Sequence, residues 1–342
     1  MTTLNRAIAG TAAAVLALTL AACSTGETTP DATSTPQETS SGEFPVTINH
    51  AFGDTVIDEE PQTVVAWGWG AADAILALGV VPAAIPAQPY GGDENGILPW
   101  IADELTELGA DTPTILTAGT EAPIEEIAAV EPDIVLAPYS GLTQEEYDLL
   151  SAFTDVVAYP DQPWATPWRD VISITGQALG RPDEAADVLS TIDATIADNA
   201  AANPQFEGLS IAQVWPSADA FYVYLPADPR VEFSEDLGFV SAPSVTELDT
   251  GESTFYYTLS PELLDQLDAD LLLVYADTQD NFDAFLTSDQ AKLLPQVATG
   301  AVADIIGTAQ VASVSPPTAL SLTWGVDEYT EKLAAAVEKL NK

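Results

Sequence analysis

The 342-residue chain has one cysteine, one methionine, one histidine, and 8 lysines and arginines against 53 aspartates and glutamates. The single cysteine, Cys23, excludes an intramolecular disulfide, so stability has to come from packing. A direct transition-metal site needs several imidazole or carboxylate ligands in one place, and acyl transfer needs a nucleophile beside a base. With His50 as its only imidazole, on a strand of the first hairpin, the chain offers neither pattern, and His50 is expected to be a satisfied structural residue. The shortage of cations leaves a formal net charge of −45. Nucleic acid and anionic membrane surfaces are repelled by such a field. A salty environment or an acidic proteome would favour the same surface. The Gly68-Trp69-Gly70 turn lacks the third glycine of a dinucleotide loop. Carboxylate pairs suited to glycoside hydrolysis are inevitable among so many acids, so composition does not decide against a hydrolase. Beyond the first 22 residues no apolar run reaches the length of a membrane span.

What those first residues do contain is an export pattern. Arg6 precedes "AIAGTAAAVLALTLAA", which ends in Leu20-Ala21-Ala22-Cys23, the form of a lipoprotein signal peptide (1–22) whose cleavage exposes Cys23 for acylation. Residues 23–43 continue as "CSTGETTPDATSTPQETSSGE", a flexible tether of Ser, Thr, Pro, Gly and acids. The expectation is an exported protein, lipid-anchored to the outer face of the cell membrane and touching it only through that anchor.

After the tether, short apolar segments alternate with helical patterns. "FPVTINHAFGDTVID" reads as a hairpin turning at Gly53-Asp54, and "TVVAW", "VVPAAIPA", "DIVLAPY" and "DVVAYP" as buried strands. Uniformly apolar short strands separated by helices indicate parallel sheets covered on both faces. Residues 165–204 are mostly helical, with Asp183 able to cap "EAADVLSTIDATIADNAAAN" and Ala185, Val188, Leu189, Ile192 and Ile196 marking one face. Strands resume with "SIAQVW", "AFYVYL", "ADLLLVYA" and "VASVS", and "DEYTEKLAAAVEKL" closes the chain. The predicted fold class is α/β, with two Rossmann-like lobes (44–164 and 205–342) of mainly parallel sheet. A long rigid helical segment (165–204) joins them, permits only modest hinge motion, and leaves a ligand cleft between the lobes.

One unit is written twice. "EEIAAVEPDIVLAPYS" (125–140) and "ELLDQLDADLLLVYAD" (262–277) each open on a glutamate, Glu125 and Glu262. Each reaches an aspartate eight positions on, Asp133 and Asp270, and ends in an apolar run. Ser260 and Pro261 supply a natural N-cap and first helical residue for the second copy. An acid in a first turn stabilises the helix dipole by about 0.3–1 kcal/mol, which alone would account for either glutamate. Their matched position in both lobes asks for more.

The signal pattern, "VVAWGWGAADAILALGVVP", "EEIAAVEPDIVLAPYSGLTQEEYDLL", "ALGRPDEA" and "LSPELLDQLDADLLLV" together resemble the siderophore-binding lipoproteins of ABC iron importers, over essentially the whole mature chain. The resemblance implies two α/β lobes bridged by a long helix, with a ferric siderophore held between them, and a non-enzymatic, monomeric protein without a cofactor. It also implies that Glu125 and Glu262 dock into the two subunits of a permease dimer. Haem and cobalamin carriers share the architecture. A surface hydrolase or a structural lipoprotein is the reading from a different class.

Ligands of open parallel sheets collect beyond the carboxyl ends of the strands. Trp67, Trp69, Tyr139, Trp215, Tyr224 and Tyr275 stand at such ends, and Tyr90 lies in the glycine-flanked loop "QPYGGDENG". The resemblance adds Arg230, in "LPADPRVEF", as a contact to iron-bound oxygens. One cation in so negative a chain suits a neutral or weakly cationic ligand, such as a ferric trishydroxamate, better than a triply negative triscatecholate.

Overall fold

The computed structural model describes residues 42, 44–217 and 219–340. Cys23, the signal segment and nearly all of the tether lie outside these residues. The first element is a hairpin, β1 (Val46–His50) and β2 (Gly53–Ile57), in register Val46 to Ile57 and His50 to Gly53. The turn is therefore Ala51-Phe52, two residues earlier than Gly53-Asp54, because Gly53 itself pairs. His50 is buried, its Nε2 bonds Thr55 Oγ1 at 2.9 Å, and its Nδ1 accepts from the Phe52 amide at 3.2 Å. The Thr55 hydroxyl gives its own proton to Val156 O, which makes Nε2 the protonated nitrogen of a neutral, structural imidazole. Burial lowers its pKa, in keeping with that assignment.

The first sheet consists of β3 (Val64–Ala66), β4 (Ala84–Pro86), β5 (Thr114–Leu116), β6 (Ile134–Leu136) and β7 (Asp155–Val157). Their order is β5-β4-β3-β6-β7 and every pairing is parallel. The strands read as continuous apolar runs because both faces are covered. Val64, Ala66, Ile134 and Leu136 enter one buried cluster, while Val65, Val135 and Trp67 enter another on the opposite face.

The second sheet is mixed. It contains β8 (Ser210–Pro216), β9 (Phe221–Tyr224), β10 (Val240–Ser241), β11 (Tyr256–Thr258), β12 (Leu271–Ala276) and β13 (Val302–Ile306). The path is β11-β9-β8-β12-β13, with β8, β12 and β13 parallel and β9 antiparallel to both of its neighbours. The expected strand "VASVS" is not one. Its first residues end the helix Thr308–Ala312, and the strand that pairs with β12 is the preceding alternating run, β13.

Between the sheets run the helices Trp168–Ala178 and Pro182–Ala202. The latter has 21 residues and so spans about 30 Å. Pro182 occupies its first turn, where the missing N–H is harmless, and the N-cap position is Arg181, with Asp183 inside the first turn. Ala185, Ile192 and Ile196 are buried, and Val188 and Leu189 pack beside them, as the spacing predicts. The largest buried cluster joins Ile134 and Leu136 of the first sheet to Ile211 and Leu273 of the second through this helical layer and the last helix, Ser321–Leu340. Smaller clusters cover the far face of each sheet.

The duplicated aspartates do the same structural job. Asp133 Oδ2 accepts from the Gln62 and Thr63 amides at 2.9 and 2.7 Å, just before β3. Asp270 Oδ2 accepts from the amide and hydroxyl of Ser210, at 2.8 and 2.7 Å, where β8 begins. In each lobe the acid before one central strand thus fixes the start of its parallel neighbour.

Candidate ligand-binding cleft

The order of the first sheet reverses direction between β3 and β6, and at such a switch point the following loops part to leave a crevice. Here the loops are 67–70 and 137–141. Gly68 has φ +87°, and a Cβ there would fall 2.3 Å from Tyr139 O, so only glycine allows the loops to lie together. The Trp69 amide then bonds Tyr139 O at 3.0 Å, which sets two half-buried aromatic rings on one surface. Trp164 comes from the irregular segment before the helix at Trp168. Its amide bonds Ser140 O at 3.0 Å, its ring stands edge-on to Tyr139 at 5.7 Å, and it is 40% exposed. Its φ of 59° is left-handed, a conformation that costs a bulky residue about 1–3 kcal/mol and concentrates at functional positions. Trp69, Pro86, Gln88, Gly119 and Trp164 line an open recess of ≈ 360 Å³ beyond the ends of β3, β4 and β5. Trp67 forms part of its wall but is only 2% exposed and packs into the core on the far face of the sheet.

The second lobe contributes a charged pair set on aromatic rings. Arg230 donates from Nε and Nη2 to the two carboxylate oxygens of Asp228, at 2.7 and 2.8 Å. Its guanidinium carbon lies 3.8 Å from the centre of the Tyr224 ring. Asp228 is 2% exposed and also accepts from the Arg230 amide at 2.9 Å, capping the helix Pro229–Asp236. Beneath them Tyr275 is fully buried, edge-on to Tyr224 at 5.9 Å, and its hydroxyl donates to Gln213 Oε1 at 2.7 Å. Gln213 in turn donates to Ser234 Oγ at 2.7 Å and Arg230 O at 3.1 Å. Tyr275, expected at the ligand surface, is therefore a support below it, because the side-chain alternation of β12 turns it into the shared core. Burial pushes Tyr224 up to about 12 and Tyr275 well above the ordinary range, so both phenols stay protonated donors. Burial opposes the charge of Arg230, but Asp228 more than offsets that and raises its pKa.

Contacts between the lobes frame the cleft. Tyr90 donates to Asp277 Oδ1 at 2.7 Å, and its ring centre is 6.3 Å from that of Trp215. Gly91, φ +87°, lets its loop press on the second lobe, where a Cβ would come 2.9 Å from Ala312 Cβ. Trp69 Nε1 donates to Pro316 O at 2.9 Å. Asp73, 3% exposed, accepts from Trp100 Nε1 at 2.6 Å and from the Thr318 hydroxyl. Tyr139 is shifted upward by burial and then by Asp228, which places it within electrostatic reach of the second lobe.

The cleft thus gathers Trp69, Tyr90 and Tyr139 with Trp215, Tyr224 and Arg230, and leaves Trp67 and Tyr275 beneath the surface. Sequence reasoning missed Trp164, Asp228 and Asp277. The tryptophan between prolines in "DQPWATP" and the Asp-Pro-Arg spacing were the available signals. Glu125 and Glu262 are both exposed, in the first turns of the helix Ile124–Ala129 and the 3₁₀ helix Pro261–Gln266. Ser260 holds the N-cap position of the latter, but its hydroxyl makes no capping bond. Among the described residues no cluster of three His, Cys, Asp or Glu could hold a metal ion, and no helix is long and apolar enough to cross a membrane.

The family model for periplasmic binding proteins matches residues 64–307, from the first residue of β3 to just past β13. The chain belongs to that family. Among solved structures it is similar to PiaA of Streptococcus pneumoniae TIGR4 in complex with ferrichrome, with 32% identity over 86% of this chain and 99% of that one, at a TM-score of 0.76. A periplasmic solute binding protein of Mycobacterium smegmatis is 27% identical over 85% of this chain and 98% of its own, TM-score 0.72. Staphylococcus aureus SirA complexed with staphyloferrin B, at 23% identity over 86% and 98% and a TM-score of 0.65, shares the fold. No curated protein matches. The periplasmic binding protein family is extracytoplasmic and binds solutes.

Proposed function

We propose that the protein captures a ferric siderophore of the hydroxamate type in this cleft and delivers it to the permease of an ABC importer. The observation that carries the reading is the convergence of Trp69, Tyr90, Tyr139 and Trp164 with Trp215, Tyr224 and Arg230. It occurs in a chain 32% identical to a protein whose structure holds ferrichrome. Aromatic faces suit the apolar periphery of a wrapped iron chelate. Asp228 engages Nε and Nη2 of Arg230 and holds its guanidinium over the Tyr224 ring. Because Asp228 compensates that charge, a triply negative triscatecholate would meet no net cation, which favours a hydroxamate. Iron and its chelator are cargo, and the protein binds without turnover.

In this reading the lobes 44–164 and 205–342 act as units, held at a nearly fixed distance by 165–204. The protein works as a monomer, Cys23 carries the lipid, and residues 23–43 hold the binding unit off the membrane. Glu125 and Glu262 present one acid per lobe to the two subunits of a permease dimer. The test is tryptophan fluorescence of the mature protein titrated with a ferric trishydroxamate, a ferric triscatecholate, ferric citrate, haem and cobalamin. Saturable quenching by the hydroxamate at submicromolar concentration is expected. A response to haem or cobalamin alone would replace the cargo, and silence across the panel would discard the reading.

A further inference from the structure

We infer that Asp277 makes the cleft selective for ferric hydroxamates that carry a pendant ammonium, and that its carboxylate receives that group beside the Tyr90 and Trp215 rings. The inference rests on the siderophore reading and narrows its cargo.

Arg230 and Asp228 satisfy one another through two bonds, and Asp228 is buried. The pair therefore contributes orientation and donors but little net charge. Among the described residues Asp277 forms no ion pair, and its side-chain partner is a neutral phenol, Tyr90, at 2.7 Å. The Tyr90 pKa is raised by burial and then by the hydrogen bond to Asp277, so the phenol keeps its proton and donates it to the carboxylate. An ionised carboxylate offers about four acceptor sites, and one phenol fills one of them.

The surroundings suit an ammonium. Asp277 is half-buried where β12 ends, so a partner there is screened less than on an open surface. The Tyr90 ring, whose hydroxyl bonds that acid, has the Trp215 ring 6.3 Å away, and a cation is attracted to a ring face as well as to a carboxylate. Asp277 and Tyr90 come from opposite lobes, so a ligand arm reaching this point would touch both. A chain of formal charge −45 also draws cationic ligands toward the cleft from solution and turns anionic ones away.

The test uses two ligands that differ by one charge: a linear ferric trihydroxamate with a terminal ammonium, ferrioxamine B, and its N-acetylated neutral form. Fluorescence titration of the mature protein at neutral pH gives both affinities, and the readout is their ratio. Wild type should bind the ammonium form about tenfold tighter, the scale of one charge-assisted hydrogen bond. In Asp277→Asn and in Asp277→Ala the ratio should collapse to about one, whatever happens to each affinity separately. Equal binding of the two ligands by wild type would overturn the inference and leave the siderophore reading standing, as would a preference that survives in both variants. Failure of wild type to bind either ligand would remove both.

Discussion

Asp133 and Asp270 close the same kind of joint in the two lobes, one carboxylate oxygen taking two donors at the start of the neighbouring strand. The sheets they serve differ: the first is wholly parallel, the second carries an antiparallel edge. The cleft surfaces differ more. The first lobe presents neutral rings on loops, Trp69, Tyr139 and Trp164, whereas the second adds Arg230 and Asp277 to its rings Trp215 and Tyr224, over the buried Asp228, Gln213 and Tyr275. What the lobes share is scaffolding, and the charged groups at the cleft belong to only one of them. That division can be broken by substitution, one lobe at a time.

The largest effect should come from the second lobe's foundation. Asp228→Ala removes a helix cap and leaves the mostly buried Arg230 without its carboxylate. Breaking a buried pair costs about 3 kcal/mol and losing a cap about 1, so urea unfolding should show a loss of about 4 kcal/mol. Siderophore affinity should fall in the same variant, because Arg230 loses its orientation. A stable Asp228→Ala would mean that the pair is a surface feature and not a foundation.

Next comes Asp73, where the first lobe meets Thr318 of the second. Burial raises its carboxyl pKa to about 6, against the opposing hydrogen bonds from Thr318 and Trp100. The folded state therefore holds the proton more tightly than the unfolded chain. Its contribution to stability is full below about pH 4 and is lost as pH rises through about 6, by up to about 3 kcal/mol. Comparing urea midpoints of wild type and Asp73→Asn from pH 4 to 7 isolates this group from the other acids. The difference between the two proteins should change across that window, and a constant difference would place the titration elsewhere.

The shared joint itself is worth less. Asp133→Ala and Asp270→Ala each remove two hydrogen bonds at partly solvated strand starts, about 1–2 kcal/mol apiece. The losses should be similar in the two lobes and additive in the double variant, since no residue partners both. Hydrogen exchange at Thr63 and Ser210 would locate them. Unequal losses would mean that the repeat is one of sequence and not of structure.

Much of this was legible in residues. The repeat exposed both aspartates and their strands, and the apolar runs gave parallel sheets, because a strand covered on both faces has little freedom in composition. Strand ends pointed to Trp69, Tyr139 and Tyr224. What escaped depends on facts that local pattern does not carry. "VASVS" alternates as a strand does, yet β13 had already taken the place beside β12. Tyr275 and Trp67 occupy strand ends, but side-chain alternation turns them into core on opposite sides of their sheets. Trp164 reaches the recess through a left-handed backbone in an irregular segment, and Asp277 meets its partner across 187 positions. Contacts of that separation have no periodicity to betray them.

The smallest effect on folding should come from the glutamates that open the repeat. Glu125 and Glu262 are exposed, and among the described residues neither carboxylate has a side-chain partner, so alanine at either should alter stability by no more than the dipole's share, about 0.3–1 kcal/mol. Dipole stabilisation predicts nothing beyond that. Docking predicts a large separate effect: in vesicles holding the permease, each variant should slow iron uptake, and the double variant should nearly abolish it. Siderophore affinity should stay as in wild type, because neither acid lines the cleft. The two copies sit on different kinds of turn, an α-helix and a 3₁₀ helix, so equal losses would show that the permease reads the acid and not the helix carrying it. If uptake were untouched by the double variant, the glutamates would return to the scaffolding with the aspartates, and the duplication would serve folding alone.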